Sequence, residues 1–233
     1  MFESLIREIY DFGEEYENEV FLGMPYSQYG NLESLYLYCF IRSNKLKYII
    51  ELGCERNSRS SYIIQKALLK NGGGTHIMCD FEDVLNEAFN NLFDTSGVIK
   101  MPGDIRDTYK DLIPHLEKCD FLFIDAHHER DFAVFYLDNL IPHLRSGVDV
   151  HIHDINLSGD WVDRDGRENE ALELITRHKN DTLNLKKRLW LEDISVNEEY
   201  KDIFNIISRR HMIGKFPATS LPYNASASYW RTI

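Results

Sequence analysis

The sequence predicts an α/β protein built on a mostly parallel β-sheet with helices packed on both faces. Three observations carry that expectation. Between Lys47 and Asp154, short apolar runs rich in β-branched and aromatic residues alternate with helix-length amphipathic segments, at the spacing of βαβ units. Each run stops at a glycine, an acidic residue or a histidine instead of fading into a polar loop. The chain has 233 residues, 43% of them hydrophobic, which suits one domain with one core.

The elements follow in order. Residues 1–17 place Phe2, Leu5, Ile6, Ile9 and Tyr10 at helical spacing, predicting an amphipathic first helix. Gly and Pro punctuate "FLGMPYSQYGN" (Phe21–Asn31), a loop, and "LESLYLYCFIRS" (Leu32–Ser43) reads as a second, largely buried helix. These helices form an N-terminal cap (1–45) on the core (46–233) of a single domain spanning 1–233. "KYIIELG", "THIMCD", "GVIKMPGD", "CDFLFID" and "VDVHIHD" read as strands one to five. Between them, "SSYIIQKALLKNGGG" with its Gly-rich stop, "EDVLNEAFNNLF", "DTYKDLIPHLEK" and "ERDFAVFYLDNLIPHLRSG" read as helices. Beyond Asn156, a polar loop, "LSGDWVDRDGR", leads to the helix "ENEALELITRHK". "LNLKKRLWLEDI" holds a strand, "EEYKDIFNIISRRH" a helix, and "SASYWRTI" the final strand.

Charge and composition exclude several classes. The formal net charge of −12 repels nucleic acid and anionic lipid. The best basic patch, "RHKNDTLNLKKR" (Arg177–Arg188), reads as a solvated face. Cys39, Cys54, Cys79 and Cys119 form no C-x-x-C pair and behave as small hydrophobes, which fits a reducing compartment. The acidic N-terminus lacks the pattern of a signal peptide, and no apolar stretch has the length of a membrane span. The expectation is a cytoplasmic protein acting on a small-molecule substrate; its apolar N-terminal helices are compatible with a homodimer. No G-x-S-x-G elbow and no G-x-x-x-x-G-K-[ST] loop occurs. The H-x-H at His151 and His153 has only about 80 residues after it, too few for a metal-dependent barrel hydrolase.

The candidate site lies where the strands end. In an open parallel sheet, ligands bind outside the C-terminal ends of the strands. Strand one ends in Glu51-Leu52-Gly53 and strand two in Asp80. Strand three ends in Gly103-Asp104, strand four in Asp125 followed by His127 and His128, and strand five in His153-Asp154. Any one of these carboxylates reads equally well as a helix N-cap. All five on one edge mark a cleft, because an uncompensated charge is costly to bury in a core. Asp80, 27 residues after Gly53, is placed to accept two hydrogen bonds from a ribose diol. The first turn, "GCERNSRSS", has Gly53 as its only glycine, so it is not the dinucleotide fingerprint.

These segments resemble a known family. In order, "YIIELGC…RSSYI", "HIMCD", "GDIRDT", "DFLFIDAHHERDF" and "LIPHLRSGVDVHIHDI" are similar to the successive motifs of class I S-adenosylmethionine-dependent methyltransferases. More narrowly, "FIDAHHERDFAVFYLDNLIPHLRSGVDVHIHDI" resembles the group whose fourth strand reads "FIDxxH" and whose fifth ends in "HD", which includes sugar and macrolide O-methyltransferases. The likeness spans about residues 30–233. It implies a three-layer Rossmann-like fold with a mostly parallel seven-stranded sheet, its last strand antiparallel, and S-adenosylmethionine as cofactor. The implied reaction is methyl transfer to a hydroxyl of a small molecule, a sugar or natural product. By position, Glu51 and Gly53 line the methionine end, Asp80 takes the ribose hydroxyls, and Asp104 with Ile105 faces the adenine. Asp125 sits beside the sulfonium and the acceptor, and His153 with Asp154 completes the substrate side. The resemblance also implies a divalent metal held between Asp125 and Asp154, lowering the pKa of the substrate hydroxyl. Hard oxygen ligands favour magnesium, and nearby histidines admit manganese or iron. The chain departs from the family pattern at Glu55, Arg56 and Asn57, where glycines are usual, and at Val148. Asn57, tolerant of positive φ, keeps the turn and joins the cofactor-binding set.

His151 and His153 share a strand face. His151, one pair deeper, reads as interior, and His153 as functional. His128 holds the histidine position of the family pattern and is preferred over His127 as general base. Tyr26 and Tyr29 wall an acceptor pocket or simply pack; Trp161 is a lid residue or simply packs. Tyr36, Tyr38 and Phe40 fall at core spacing. Two other readings keep the same fold: a non-catalytic binding module, and a metal-dependent hydroxylase.

Overall fold

The structure, a computed structural model, describes residues 2–25, 27, 29, 31–54, 58–81, 95–127, 130–153, 189–190 and 228–231. Asn57, His128, Asp154, Tyr26 and Trp161 lie outside the described residues, as do the helix expected at 82–93 and most of the segment after 153.

Helices α1 (Phe2–Glu19) and α2 (Asn31–Ser43) precede the alternation. Then come β1 (Tyr48–Leu52), α3 (Arg59–Lys70), β2 (Thr75–Asp80), β3 (Val98–Pro102), α4 (Ile105–Leu116), β4 (Phe121–Ile124), α5 (Arg130–Asn139) and β5 (Asp149–Ile152). Two short strands, β6 (Leu189–Trp190) and β7 (Ser228–Arg231), complete a seven-stranded sheet of order β3-β2-β1-β4-β5-β7-β6. Strands β1 to β5 are parallel, and β7 runs antiparallel to both neighbours. The order reverses between β1 and β4, and a crevice opens at such a switch point.

Local chemistry sets the helix ends. Ser58 caps α3, its hydroxyl accepting from Ser61 N at 3.3 Å. Helix α4 starts earlier than the expected Asp107, because Asp104 is its N-cap and accepts from Arg106 N at 2.9 Å. The helix expected over 129–147 stops at Asn139 and gives way to a 3-10 turn at Ile141–His143. Pro142 explains the break, since it has no N–H to donate and its ring crowds the preceding turn.

Period-2 alternation divides the strand residues between two cores. Ile50, Leu52, Ile77, Cys79, Leu122, Ile124, Val150 and Ile152 pack with Leu112, Leu116, Phe132 and Tyr136 of α4 and α5. Ile49, Met78, Phe121 and Phe123 pack with Tyr16, Leu35, Tyr38, Ile41, Ile63 and Ile64 of α1 to α3. Tyr36, Tyr38 and Phe40 are buried, as their spacing predicts. The cap is pinned by polar contacts as well. Arg42 donates to both Glu15 oxygens (2.7 and 3.1 Å), Tyr38 OH donates to Glu15 (2.5 Å), and Asn71 Nδ2 donates to Ile41 O and Leu46 O. The Arg42 guanidinium holds the Glu15 carboxyl below the usual carboxylate range. Among the described residues, no helix is long and apolar enough to cross a membrane.

Candidate active site

Backbone hydrogen bonds extend the ladders just past the strand ends and so fix the residues of the edge. Gly53 N donates to Cys79 O, Asp125 N to Leu52 O, Gly103 N to Asp80 O and His153 N to Ile124 O, all at 2.8–2.9 Å. Gly53 has φ +87°, and a Cβ there would stand 1.9 Å from Asp125 O and 2.8 Å from Ala126 Cα. The glycine is therefore required by the close approach of the chain after β4, apart from anything a ligand needs. Cys54 N donates to Asp80 Oδ2 at 2.6 Å, tying the turn after β1 to the carboxylate at the end of β2.

A cleft of about 420 Å³ lies over this edge, within the range of small-molecule sites. Gly53, Asp80, Phe81, Ile105, Asp125 and Phe132 line it, together with Asp104, Arg106 and His127. Five of the sequence-predicted residues, Gly53, Asp80, Asp104, Ile105 and Asp125, thus meet in one cavity. Phe81, directly after Asp80, is 75% exposed.

The Asp104 carboxylate does more than cap α4. The Arg106 guanidinium forks onto it at 2.6 and 3.0 Å, with Asp131 at 3.4 Å on its other side. The Arg106 contact holds the Asp104 carboxyl below the usual range.

Glu51, expected to line the methionine end of the cofactor, is fully buried and is not among the residues lining the cleft. Alternation places it on the same side as Ile49, under α3. Ser60 and Ser61 each donate to one of its oxygens at 2.6 Å. His76 Nε2 lies 2.9 Å from Oε2 in a charge contact without hydrogen-bond alignment, and Gln65 Nε2 meets His76 Nδ1 at 2.9 Å. This carboxylate anchors the first turn of α3 to the sheet.

His151 is fully buried, stacked on Phe123 at 4.5 Å with the rings 6° apart. His153 stands at the rim, 6% exposed. Its Nδ1 is 3.0 Å from Asp125 Oδ1, and its Nε2 is 3.2 Å from Glu33 Oε1. Tyr29 packs on the ring at 5.0 Å between centroids. Arg59, at the start of α3, donates to Pro25 O (3.1 Å) and Tyr29 O (2.7 Å), which fastens the loop between α1 and α2 to the same corner.

Glu33 escaped the sequence reading. Its signal was one carboxylate inside an otherwise apolar helix, in "LESLYLYCF". Phe81 also escaped it, though an aromatic directly after a strand-end carboxylate is visible in the sequence.

Among the described residues, no group of three His, Cys, Asp or Glu side chains is arranged to hold a metal ion. Glu33, His153 and Asp125 are strung across the two nitrogens of one ring instead of converging on a point. Of the two carboxylates expected to hold a metal, Asp125 is at the cleft and Asp154 is outside the described residues.

Comparison with known proteins agrees with this geometry. The profile of a family described as "Methyltransferase domain" matches residues 51–155, the stretch from β1 through the end of β5. Solved structures share the fold. An O-methyltransferase from Bacillus cereus in complex with SAH is 16% identical over 78% of this chain and 81% of its own, with a TM-score of 0.53. The O-methyltransferase TomG from Streptomyces achromogenes, involved in tomaymycin synthesis and bound to SAM, is 13% identical over 98% of this chain and 89% of its own, with a TM-score of 0.51. The SAH-bound methyltransferase PaMTH1 from Podospora anserina is 12% identical over 98% and 88%, with a TM-score of 0.53. No curated protein matches the chain. Over residues 51–155 the chain is thus similar to a methyltransferase domain, and it shares the fold of these solved methyltransferases.

Proposed function

We propose that the chain is an O-methyltransferase acting on a hydroxyl of a small molecule, a sugar or natural product of the kind the "FIDxxH…HD" group methylates. The observation that carries this reading is Asp125. It lines the cleft at the sheet's switch point, against Gly53 and hydrogen-bonded to His153.

The cofactor fits the residues present. Asp80 faces the cleft with a carboxylate suited to a ribose diol. Phe81 and Ile105 offer apolar surface to the adenine, and the acidic edge suits a sulfonium cation. When bound, S-adenosylmethionine supplies an electrophilic methyl group. The chain's own task is to bring an acceptor oxygen into line with that methyl and to take its proton. Asp125 orients the acceptor hydroxyl and accepts its proton, with His153 as the neighbour that holds the carboxylate in place. His127 at the cleft and His128 next to it are the other bases in reach of the sequence after β4. In the metal-assisted form of this proposal, Asp125 and Asp154 hold the ion.

The test is a calorimetric titration with S-adenosylmethionine, with magnesium, without it and after chelation. Saturable binding, lost in Asp80→Ala, is the expected result. Asp125→Ala then retains binding and loses transfer. An effect of chelation on turnover would support the metal-assisted form. A protein that binds no cofactor under any of these conditions would instead be a binding module of this fold.

A further inference from the structure

We propose that Glu33, on helix α2 of the N-terminal cap, is a positioning residue of the acceptor side of the site: it holds the His153 ring and, through that ring, Asp125. The proposal rests on the methyl-transfer reading and deepens it.

Three elements far apart in the chain converge here. Asp125 follows β4, His153 follows β5, and Glu33 comes from α2. His153 meets a carboxylate at each ring nitrogen, Asp125 Oδ1 at 3.0 Å and Glu33 Oε1 at 3.2 Å. The second brings ring nitrogen and carboxylate together without the alignment of a hydrogen bond, an ion pair when the ring is protonated. Glu33 is 1% exposed and His153 6%, so water has little room to replace either partner. Carboxylates are buried to this extent only when something compensates them. His153, on the opposite side of the site, supplies part of that compensation at Oε1.

The geometry explains what the contact achieves. A half-turn of an imidazole about its bond to Cβ puts a ring carbon where each nitrogen stood. A ring that faces a carboxylate at both nitrogens therefore loses two contacts when it turns, which holds its orientation. The Tyr29 ring closes a third side at 5.0 Å, and its OH reaches Glu33 O at 3.4 Å. With the ring fixed, Asp125 Oδ1 is fixed too. Without Glu33 the ring keeps only its Asp125 contact at the nitrogens, so a turn costs one such contact instead of two and Asp125 is held less firmly. Glu33 itself is not among the residues lining the cofactor cleft, so it acts on the acceptor side alone.

The test uses full-length protein labelled with ¹⁵N-histidine, read by two-bond ¹H–¹⁵N correlation at one fixed pH, with His153 assigned from a His153→Asn variant. Wild type, Glu33→Gln and Glu33→Asp are compared, and S-adenosylmethionine affinity is measured on each by calorimetry. In Glu33→Gln both His153 ring resonances shift, while cofactor affinity stays within about twofold, since nothing in the cleft has changed. Glu33→Asp, which keeps the charge, restores part of the wild-type pattern. Hydroxylated compounds (a monosaccharide, a catechol, a macrolide) serve as acceptors. On any that is turned over, Glu33→Gln lowers kcat about tenfold or more, with the KM for S-adenosylmethionine unchanged. Unmoved His153 resonances in folded Glu33→Gln and Glu33→Asp proteins would overturn the proposal. So would an unchanged kcat. Wild-type protein that binds no S-adenosylmethionine would sink the methyl-transfer reading alone, because the His153 spectrum reports the contact without cofactor.

Discussion

The two faces of the sheet are made by the same five parallel strands and differ sharply in what they bury. Beneath α4 and α5 the strands present Ile50, Leu52, Ile77, Leu122, Ile124, Val150 and Ile152, and the contact is apolar throughout. Beneath α1 to α3 the same strands present Ile49, Met78, Phe121 and Phe123, with Glu51, His76 and His151 fully buried among them. Glu51, Phe123 and His151 lie in one register row, and Asp125 and His153 lie two residues further along their strands. The polar face therefore leads up to Asp125 and His153, whereas the apolar face reaches the cleft through Leu52, Cys79, Ile105 and Phe132. The difference teaches that in this fold the groups needing polar partners collect on one side of the sheet and the apolar wall of the cleft on the other.

Variants can break this contrast in order of effect. Gly53→Ala is the most damaging, since its Cβ would enter the Asp125 carbonyl at 1.9 Å with φ at +87°. No folded, cofactor-binding protein is expected, as circular dichroism and calorimetry would report. Glu51→Ala comes next. It strips Ser60, Ser61 and His76 of a shared partner in a fully buried place, and such losses cost about 3–5 kcal/mol. Urea unfolding measures it, and weaker cofactor binding should accompany it, because Ser60 and Ser61 begin the helix after the site loop. Leu122→Ala on the apolar face costs about 2–5 kcal/mol in the same assay, yet leaves affinity for cofactor in the surviving folded protein unchanged. If Leu122→Ala weakened binding as Glu51→Ala does, the division of labour between the faces would be wrong.

Thiols sharpen the comparison through pH. All four cysteines are buried, Cys39 and Cys54 on the polar side, Cys79 and Cys119 on the apolar side. Burial pushes the Cys79 and Cys119 thiols up from 9.0 to about 12. A folded-state value above the unfolded one means stability is intact below about pH 9 and drains away as pH rises toward 12. Thiol reagents should therefore label this protein at neutral pH only as it unfolds; rapid labelling of the native state would contradict the packing. The smallest effect belongs to Arg106→Ala. It should raise the Asp104 carboxyl toward its ordinary value of 3.8, seen by NMR titration. Because the folded-state value is depressed, its small stabilising effect is present above that pH and lost as the solution is acidified below it.

Much of this was legible in the sequence. The five parallel strands were readable because β-branched and aromatic runs ended in recognisable turn chemistry. Asp80, Asp104 and Asp125 were readable because a strand's last carboxylate has few places to go but the edge. His151 falls in the interior, as its depth along the strand predicts, and His153, two residues on, is also buried but meets Asp125. Other features were lost for definite reasons. Glu51 was assigned to the ligand by its place in the motif, although alternation with Ile49 already turned it toward α3. The long helix expected after β4 followed the apolar period through "NLIPHL" and passed over Pro142. Glu33 was out of reach because its meaning depends on His153, 120 residues later in the chain (153 − 33 = 120), and no local pattern encodes a contact at that separation.

That separation has a consequence for how the molecule comes into being. The cap leaves the ribosome first, with Glu33 still in water, and the sheet grows outward and back before β5 arrives. The loop closed by the Glu33–His153 contact is among the longest the described chain makes, and contacts of this kind form late because their entropy must be met by structure already in place. The Glu33–His153–Asp125 arrangement thus forms only once β5 has joined the sheet. A newborn chain that stalls short of β5 is unable to act on a substrate before it is ready.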